Sequence, residues 1–400
     1  MIANSYDLII VGAGISGLSM AHYGVQRGWR VVVLEQADRI GGSLDSHRPH
    51  GTGFWLELGA HSGFNSYGHL LGILEERGCL DRLCDRARAP FQVLADGRLQ
   101  SVFSRLHWLA LLLSLPRLLT TRKPGKSVAE YYRNVLGSSN YADLFGPAFN
   151  AVICQQADDF PADILFSPKP RRKDVRRSFT FPGGLQTLAD ILAKRDDIGI
   201  QTGQSVQALQ YADGIFILTT ATGVMYRTRA VCLATPVAAA ADLLGEAFPA
   251  LSRLLQRIAT VTVESLGVVV RREAVSLPPL AGIIARDDSF FSVVSRDTVP
   301  DPTYRGFTFH FKPGLLDETG KLQRIGEVLG VGREQLEDVA GKTNRLPALR
   351  VGHQELVREI DSHLIGIPLA LTGNYFTGVS LEDCVMRSLM ECRRLLDGAG

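Results

Sequence analysis

The chain has 400 residues and a formal net charge of +2, with 46% apolar and 21% charged residues. This length suits two or three domains with sizeable cores, and the composition excludes an intrinsically disordered chain. The near-neutral balance excludes a general attraction to nucleic acid. The six cysteines form no Cys-x-x-Cys pair, and no histidine–cysteine cluster has metal-ligand spacing. We therefore predict reduced thiols, a cytoplasmic protein and no metal site.

A glycine-rich turn follows the first apolar run of the chain. Residues 8–11 read as a strand buried on both faces, and the first residues lead into it without room for a signal peptide. Gly12, Gly14 and Gly17 then precede a helix predicted over about residues 16–26. Gly12 permits a tight turn, Gly14 lets a pyrophosphate approach the backbone, and Gly17 lets the helix pack on the strand. The pattern predicts a dinucleotide-binding unit.

An acidic residue closes the second apolar run. Residues 30–34 read as a strand, and Glu35 follows it 23 residues after Gly12. A carboxylate at this place accepts hydrogen bonds from a ribose diol and repels a 2′-phosphate. The alternative, a glycine turn in an ordinary strand–helix–strand unit, does not account for Glu35.

Further glycines extend the predicted cofactor site at both ends of the chain. Arg39, Gly41 and Gly42 offer a phosphate partner and a second close backbone approach. Near the C-terminus, residues 367–384 read as a strand, a loop and a helix starting near Val379. This element predicts a second anion site at a helix N-terminus. In the alternative, it merely completes the sheet.

Together these motifs, with the Glu-Leu-Gly of residues 57–59, resemble the FAD-binding half of the flavin amine oxidase superfamily. That group includes monoamine oxidases, protoporphyrinogen oxidases and carotenoid desaturases. The resemblance implies an α/β fold with a Rossmann-like FAD-binding domain (GR2-type flavoprotein) and an inserted α+β substrate domain. It also implies non-covalent FAD, held by Gly12, Gly14, Ile15, Ser16, Gly17, Glu35, Gln36, Arg39, Gly41, Gly42, Ser43, Gly59, Ala60, His61, Val206, Gly373, Asn374, Gly378 and Val379.

Val206, one member of this set, has a simpler interpretation. In the family a valine at the place of Val206 contacts the adenine, whereas a plain core valine is the equal alternative.

Glycine and proline positions predict an FAD-binding domain from residues 1–85, 179–240 and 345–400. The inserts, residues 86–178 and 241–344, form the predicted substrate-binding domain.

Within the superfamily the chain is most similar to protoporphyrinogen and coproporphyrinogen oxidases. The similarity lies in a predicted hairpin over residues 91–99, in the Gly-Gly-Leu-Gln of residues 183–186, and in Gly352-His353. It implies FAD-dependent dehydrogenation of a porphyrinogen, a step of porphyrin biosynthesis, with dioxygen as acceptor. The catalytic side chains are unknown.

Three other functions stay open. An amine oxidase of this superfamily often has a lysine near the flavin on a strand, and Lys312 is the strand-like candidate here. A carotenoid-type desaturase would suit the apolar residues 106–119. A flavin-binding protein without turnover is the alternative from another class.

Two segments of the inserts carry alternatives of their own. Residues 106–119 predict either a buried core helix or a helix lying on a membrane surface, since Arg105, Arg122, Lys123 and Lys126 flank them. The basic run at residues 169–177 predicts a solvated loop, with contact to lipid headgroups or substrate carboxylates as the alternative. The expected partners are a small-molecule substrate and, under the second interpretation of residues 106–119, a peripheral membrane.

Overall fold

The first apolar run becomes a central parallel strand of a seven-stranded sheet. The computed structural model describes residues 6–397. Residues 1–5, on which the prediction about a signal peptide rests, lie outside the described residues. In spatial order the strands of this first sheet are Ile198–Gln201, Val31–Leu34, Tyr6–Val11, Met225–Leu233, Ile215–Thr220 and Val206–Ala212. Leu369–Leu371 pairs in parallel with Met225–Leu233, and only the last two strands of the row run antiparallel to their neighbours.

Helices cover both faces of the first sheet, which explains the unbroken apolar sequence of its strands. Leu8 and Ile10 belong to one buried cluster, whereas Ile9 and Val11 belong to another. Seven helices contribute to these clusters: Ile15–Val25, Gly68–Glu76, Gln186–Ala193, Val237–Leu244, Pro249–Gln256, His353–His363 and Leu381–Asp397.

A second seven-stranded sheet is built from the inserts. Its order is Leu336–Pro347, Thr260–Arg271, Tyr304–Phe311, Phe290–Ser295, Gly282–Ala285, Phe91–Ala95 and Arg98–Ser101. The predicted hairpin is confirmed, with Asp96 and Gly97 at φ +53° and +70° in its turn. These positive φ values match the right-handed twist of the paired strands. Helix Glu318–Leu329 packs its apolar side on this sheet.

Short elements link the two sheets. Ser46–His47 pairs with Leu56–Glu57, and a three-stranded ribbon joins Gly63–Phe64, Ser178–Thr180 and Cys84–Asp85. The first insert continues as a helical group: Trp108–Ser114, Arg117–Thr120, Val128–Leu136, Ser138–Asn140, Tyr141–Phe145 and Gly146–Ile153. The chain therefore passes back and forth between the two sheets.

The apolar segment at residues 106–119 is not a core helix, so that interpretation is wrong. It folds as two short helices separated by Pro116, and Leu109, Leu113 and Leu119 are 71%, 69% and 90% exposed. Within the described residues, no helix is long and apolar enough to cross a membrane. The membrane-surface interpretation stays a prediction.

Candidate functional site

The glycine turn lies at the carboxyl edge of the first sheet. Strands Tyr6–Val11, Val31–Leu34, Ile198–Gln201, Met225–Leu233 and Leu369–Leu371 run parallel, so their last residues meet at this edge. Ligands of open parallel sheets bind in the crevice outside the carboxyl ends of the strands. The predicted cofactor residues therefore come together where such a ligand is expected.

The three glycines of the turn differ in what surrounds them. A Cβ on Gly12, whose φ is +104°, would lie 2.6 Å from the carbonyl oxygen of Ala234. A Cβ on Gly17 would lie 1.9 Å from the carbonyl oxygen of Gly12, whereas one on Gly14 would meet no atom within 4 Å. The turn is closed against the protein at Gly12 and Gly17 and open at Gly14, the side predicted for a pyrophosphate.

The first helix presents a bare N-terminus to this space. It begins at Ile15 after Gly14, without a side-chain cap and without an acidic residue in its first turn. Ser16 is buried, and its carbonyl oxygen accepts a hydrogen bond of 2.9 Å from Ser388 Oγ on the last helix. The free N–H groups and the helix dipole favour an anion here.

Glu35 is held by the backbone on both sides. Its Oε2 accepts from the Ala13 N–H at 2.7 Å and its Oε1 from the Ala37 N–H at 3.0 Å. Gln36 is exposed beside it. Val206 begins its strand half-buried against the second apolar cluster, as either interpretation requires. Glu35 is fixed at the end of its strand, where a ribose acceptor was predicted.

Arg39 is engaged by acceptors of the protein itself, and its contact with a phosphate stays a prediction. Its guanidinium donates to Asp45 Oδ2 at 2.6 Å, to Gln186 Oε1 at 3.1 Å, and to the carbonyl oxygens of Gly42 and Leu44 at 3.0 and 3.2 Å. These acceptors occupy the planar fork of the side chain. Arg39 therefore braces the turn that carries the second glycine pair.

The second glycine pair lies against the first turn. The Gly41 N–H donates to the Ala13 carbonyl at 2.8 Å, and a Cβ on Gly42 would lie 3.3 Å from Gly14 Cα. Two backbone turns can approach this closely because neither carries a side chain at the contact. Together they form one wall of the predicted cofactor crevice.

The Glu-Leu-Gly segment continues that wall. The Ala60 N–H donates to the Ser43 carbonyl at 3.0 Å, and a Cβ on Gly59 would lie 2.1 Å from the same oxygen. His61 follows with its ring open to a cleft. Partial removal from bulk water, together with the charge of Arg86, lowers the pKa of His61.

The C-terminal loop leads from a strand into a helix as predicted, with a shifted boundary. The last helix starts at Leu381, two residues after the predicted Val379, which is exposed. A Cβ on Gly373 would lie 2.5 Å from the Tyr375 ring, and one on Gly378 would lie 2.5 Å from Asp383 Oδ2. The loop, including the half-buried Asn374, thus folds tightly on itself.

The Gly352-His353 pair contacts this loop through the side chain of His353. It begins helix His353–His363 after Gly352, whose φ is +89°. The buried imidazole donates from Nε2 to the Phe376 carbonyl at 3.0 Å, and burial lowers the pKa of His353. The pair therefore positions the C-terminal loop.

A cleft opens where the two sheets meet. It encloses about 360 Å³, part of it open to solvent. Its walls come from the Glu-Leu-Gly segment, from the linking ribbon and from the second sheet, with the residues Trp55, Leu56, Glu57, His61, Arg86, Thr180, Val294, Ser295, Arg296, Thr298, Val299, Gly306 and Thr308.

Glu57 is the acidic member of this cleft. Its carboxyl accepts from Ser46 Oγ at 2.5 Å and from the Leu185 N–H at 2.8 Å. Its backbone carbonyl accepts from Thr308 Oγ1 at 2.8 Å. Burial raises the pKa of Glu57 to about 7, against the opposing effect of these hydrogen bonds and of the nearby arginines. Glu57 therefore titrates near neutral pH.

A buried polar chain in the second sheet joins the same segment. Asn344 Nδ2 donates to the Leu58 carbonyl and to Ser265 Oγ, both at 2.9 Å. Ser265 Oγ also forms a hydrogen bond of 3.0 Å with His310 Nδ1. Burial lowers the pKa of His310 to about 4, so the ring is neutral.

Sequence reasoning missed these three residues. They are far apart along the chain, and pairing of Thr260–Arg271 with Tyr304–Phe311 and Leu336–Pro347 brings them together. A lone serine, histidine or asparagine in an unassigned strand carries no local signal.

Two lysines bear on the amine oxidase alternative. The Lys312 ammonium donates to the Asp288 carbonyl at 2.7 Å, and the same ammonium lies over the Phe291 ring. Lys342, which sequence reasoning missed because its strand was not predicted, donates to the Gly42 carbonyl at 2.8 Å and pairs with Asp45. Lys312 is therefore engaged away from the crevice wall, whereas Lys342 ties the second sheet to that wall.

The basic run at residues 169–177 is mostly exposed, as a solvated loop predicts. Three of its cations also form ion pairs: Lys169 contacts Asp383 at 2.6 Å, Arg172 contacts Glu75 at 2.8 Å, and Arg176 contacts Asp85 at 3.1 Å. These pairs hold the loop to the body of the molecule.

Metal and thiol chemistry can be read from the described part of the chain. Among residues 6–397, no group of three or more His, Cys, Asp or Glu side chains is placed to hold a metal ion. All six cysteines are free thiols, and burial raises the pKa of Cys154 and Cys384 to about 11 and about 12.

Comparison with known proteins gives one relative along nearly the whole chain. A coproporphyrinogen III oxidase of Propionibacterium freudenreichii subsp. freudenreichii is 25% identical over 498 aligned positions, which cover 99% of this chain and 92% of that protein. A 15-cis-phytoene desaturase of Narcissus pseudonarcissus is 35% identical over 77 residues, only 19% of this chain and 13% of that protein.

Solved structures share the fold. The crystal structure of a protein from Exiguobacterium sp. 255-15, described as a putative protoporphyrinogen oxidase, superposes with a TM-score of 0.79 over 98% of both chains at 20% identity. The α/β fold with a Rossmann-like domain and an inserted α+β domain is thus confirmed. The sequence profile of the flavin containing amine oxidoreductases matches residues 15–305. This chain therefore belongs to the flavin containing amine oxidoreductase family, and it is a flavin-dependent oxidoreductase.

Proposed function

We propose that the protein is an FAD-dependent oxidase that dehydrogenates a porphyrinogen-like substrate. The observation that carries this proposal is the position of the cleft. It opens beside Glu57 and His61, next to the segment on which the resemblance puts the isoalloxazine ring, and against the second sheet. A substrate in this cleft would meet the reactive edge of the cofactor.

The crevice at the carboxyl edge fits the dinucleotide part of FAD. The open side of Gly14, the uncapped helix at Ile15 and the fixed carboxylate of Glu35 match a pyrophosphate and a ribose in turn. When bound, FAD would accept two electrons in each round as a hydride. Acid precipitation should leave the flavin in the supernatant, and a yellow pellet would contradict non-covalent binding.

The full-length relative supports the porphyrinogen class, because the coproporphyrinogen III oxidase aligns with 99% of this chain. Conversion of a porphyrinogen to a porphyrin removes six electrons and six protons in three rounds. Three dioxygen molecules would take them up as three molecules of hydrogen peroxide. The protein's part is to orient the macrocycle and exclude water.

Two rival chemistries have weaker support. The Lys312 ammonium donates to the Asp288 carbonyl. Strand Thr260–Arg271 carries no lysine, and its Glu264 forms an ion pair with Lys321. The phytoene desaturase match covers a fifth of the chain. Amine oxidation and carotenoid desaturation are therefore second to porphyrinogen oxidation.

The decisive experiment follows porphyrin fluorescence under air. Purified holoenzyme should oxidise coproporphyrinogen or protoporphyrinogen faster than buffer alone, with three peroxides released for each porphyrin. Rates equal to the autoxidation rate for both substrates would reject the proposal, and anaerobic bleaching by an amine would favour the rival.

We also propose that the cytoplasmic protein docks peripherally on an anionic membrane through the apolar segment. Eight large side chains between residues 103 and 119 are exposed: Phe103, Trp108, Leu109, Leu112, Leu113, Leu115, Leu118 and Leu119. Residues 97–129 include no acidic residue, and Arg117, Arg122 and Lys126 stand exposed around the apolar side chains. Apolar insertion and attraction to anionic headgroups would act together.

Vesicle co-sedimentation tests this docking. Holoenzyme should pellet with vesicles that contain phosphatidylglycerol and less with phosphatidylcholine alone. The Leu112→Ser and Leu119→Ser double variant should stay in the supernatant, whereas Leu315→Ser, at an exposed leucine elsewhere, should bind normally. Equal pelleting of all three proteins would reject the surface.

A further inference from the structure

One edge of the second sheet is a long strand without an outer neighbour. Strand Leu336–Pro347 has 12 residues and pairs with Thr260–Arg271, whereas the strand at the opposite edge, Arg98–Ser101, has 4. Within residues 6–397, no strand pairs with its outer side. Such an edge presents a row of backbone donors and acceptors that another strand can bind, and proteins usually shorten or cover it.

The two faces of this edge strand differ in their surroundings. On one face Lys342 pairs with Asp45 at 2.8 Å, and Asn344 donates to the Leu58 carbonyl at 2.9 Å. The alternating residues of the other face are exposed, namely Glu337, Val339, Gly341, Thr343 and Arg345. The strand is therefore fixed to the protein by one face and accessible along the other.

The charges of the edge strand and its flanks are separated along the chain. Residues 334–338 contain three acidic residues and no basic one, whereas residues 342–350 contain three basic residues and no acidic one. An identical strand running antiparallel would set each acidic end against a basic end, and a parallel one would oppose like charges. The charge pattern therefore fits a second copy of this strand in antiparallel orientation.

The exposed charges also define a register for such a pair. Glu337 and Arg345 each lie four positions from Gly341, so a two-fold axis at Gly341 sets each glutamate opposite the arginine of the other copy. Within the described residues, Arg345 forms no hydrogen bond or ion pair. Glu337 uses Oε1 for Arg271 at 3.1 Å, so its Oε2 is available to a second cation.

We propose that two copies of this chain form a two-fold dimer by pairing their Leu336–Pro347 strands. The ladder with Thr260–Arg271 is regular over residues 338–347 and shifts register beside Glu337. The new backbone hydrogen bonds therefore form around Gly341, and the ion pairs of Glu337 with Arg345 of the partner subunit close both ends. Backbone pairing provides the affinity, and the charges select the orientation and register.

This contact is a surface beyond the cofactor crevice and the cleft, and its test needs no substrate. Analytical ultracentrifugation of the holoenzyme should show a concentration-dependent equilibrium between monomer and dimer, weakened by added salt. Glu337→Arg and Arg345→Glu should each raise the dimer Kd about tenfold or more, because each sets like charges opposite one another twice. A wild-type protein that stays monomeric up to its highest soluble concentration would overturn the proposal.

The double variant Glu337→Arg with Arg345→Glu tests the register itself. It restores opposite charges at the same positions, so its Kd should return to within about threefold of the wild-type value. Arg271→Gln removes only the internal partner of Glu337, and Glu273→Arg changes an exposed charge outside the strand, so both should dimerise normally.

Flavin content and thermal unfolding are compared in all variants to exclude misfolding. A dimer that neither single variant weakens would place the interface elsewhere and overturn the proposal. A double variant as weak as the single variants would also overturn it, since the two side chains would then not meet. Loss of dimerisation in Glu273→Arg would show a general effect of charge and contradict a contact limited to this edge.

Discussion

The nucleotide crevice and the adjoining cleft are encoded in different ways. The crevice is made of backbone turns, and many of its contacts join residues close in sequence, such as Gly12 with Gly17 and Gly41 with Ala13. The cleft is made of side chains from six separate segments, and Trp55 meets Arg296 across 241 positions of sequence. One region is local and the other depends on the completed tertiary structure.

This difference indicates which residues of such an oxidase can be exchanged without loss of the cofactor site. Backbone turns bind a constant group, a pyrophosphate, with N–H donors that every residue has. Side chains in a cleft select a variable group, and they can be exchanged without disturbing the turns. A shared cofactor domain can thus serve many substrates, as the family names suggest.

Adding a methyl group at two glycines should give the largest effects and separate packing from binding. Gly17→Ala would place Cβ 1.9 Å from the Gly12 carbonyl oxygen, so we expect it to destabilise the protein by about 3 kcal/mol or more. Gly14→Ala meets no protein atom and has an allowed φ of −76°, so it should fold normally. It should nevertheless lose FAD, since its Cβ enters the space assigned to the pyrophosphate.

Thermal unfolding and the flavin-to-protein ratio measure this pair. If Gly14→Ala retained full flavin, the open side of the turn would not face the cofactor. If Gly17→Ala were as stable as the wild type, the close packing of the turn would be wrong.

Removing the ribose carboxylate should act on binding alone. Glu35→Ala should weaken FAD about 100-fold, because the ribose loses its acceptor and Ala13 and Ala37 lose theirs. Asp38→Ala, at an exposed acid in the same loop, is the matched control. Fluorescence titration of the apoprotein gives both dissociation constants, and equal values would remove Glu35 from the cofactor site.

The sequence predicted the crevice because each of its features has a local cause. Gly12, Gly14, Gly17 and Glu35 are spaced by the length of one helix and one strand, so their arrangement follows from secondary structure. The contacts of Arg39 with Asp45 and Gln186 could not be predicted, since they depend on a turn and on a distant helix.

The cleft could not be predicted for the opposite reason. Its side chains, such as Trp55, Arg86 and Arg296, come from segments far apart along the chain. The neighbouring polar chain of Ser265, His310 and Asn344 depends on the register of three strands, in which a shift of one residue would turn each side chain to the other face. Exposure was also unreadable at residues 106–119, because an apolar run looks alike whether it packs on a core or on a membrane.

His353 is the long-range component of the crevice and should show a smaller effect than Glu35. His353→Leu removes the donor to the Phe376 carbonyl in a buried place, so we expect a loss of about 2 kcal/mol of stability and faster FAD release. His363→Leu, at an exposed histidine of the same helix, is the control. Chemical unfolding and the dissociation rate of FAD test it, and an unchanged rate would separate the loop from the cofactor.

The smallest effect belongs to the cleft and depends on pH. Burial raises the pKa of Glu57 to about 7, from an ordinary value of 4.5 in the unfolded chain. The folded state therefore holds a proton that the unfolded state releases, so this stabilisation is complete below about pH 4.5 and is lost as pH rises to about 7. Glu57→Gln keeps the shape without the charge, and it should raise the free energy of unfolding at pH 8 by about 1–3 kcal/mol.

At pH 5 the same substitution should change little, because Glu57 is already neutral in the folded protein. Urea unfolding of the holoenzyme at saturating FAD, at both pH values, measures the difference, with Glu273→Gln at an exposed position as control. The variants of the backbone turns should show no such pH dependence, since no titrating side chain is removed. A Glu57→Gln effect of equal size at both pH values would mean that Arg86 and Arg296 already keep Glu57 ionised. The cleft would then hold a fixed negative charge over this whole pH range.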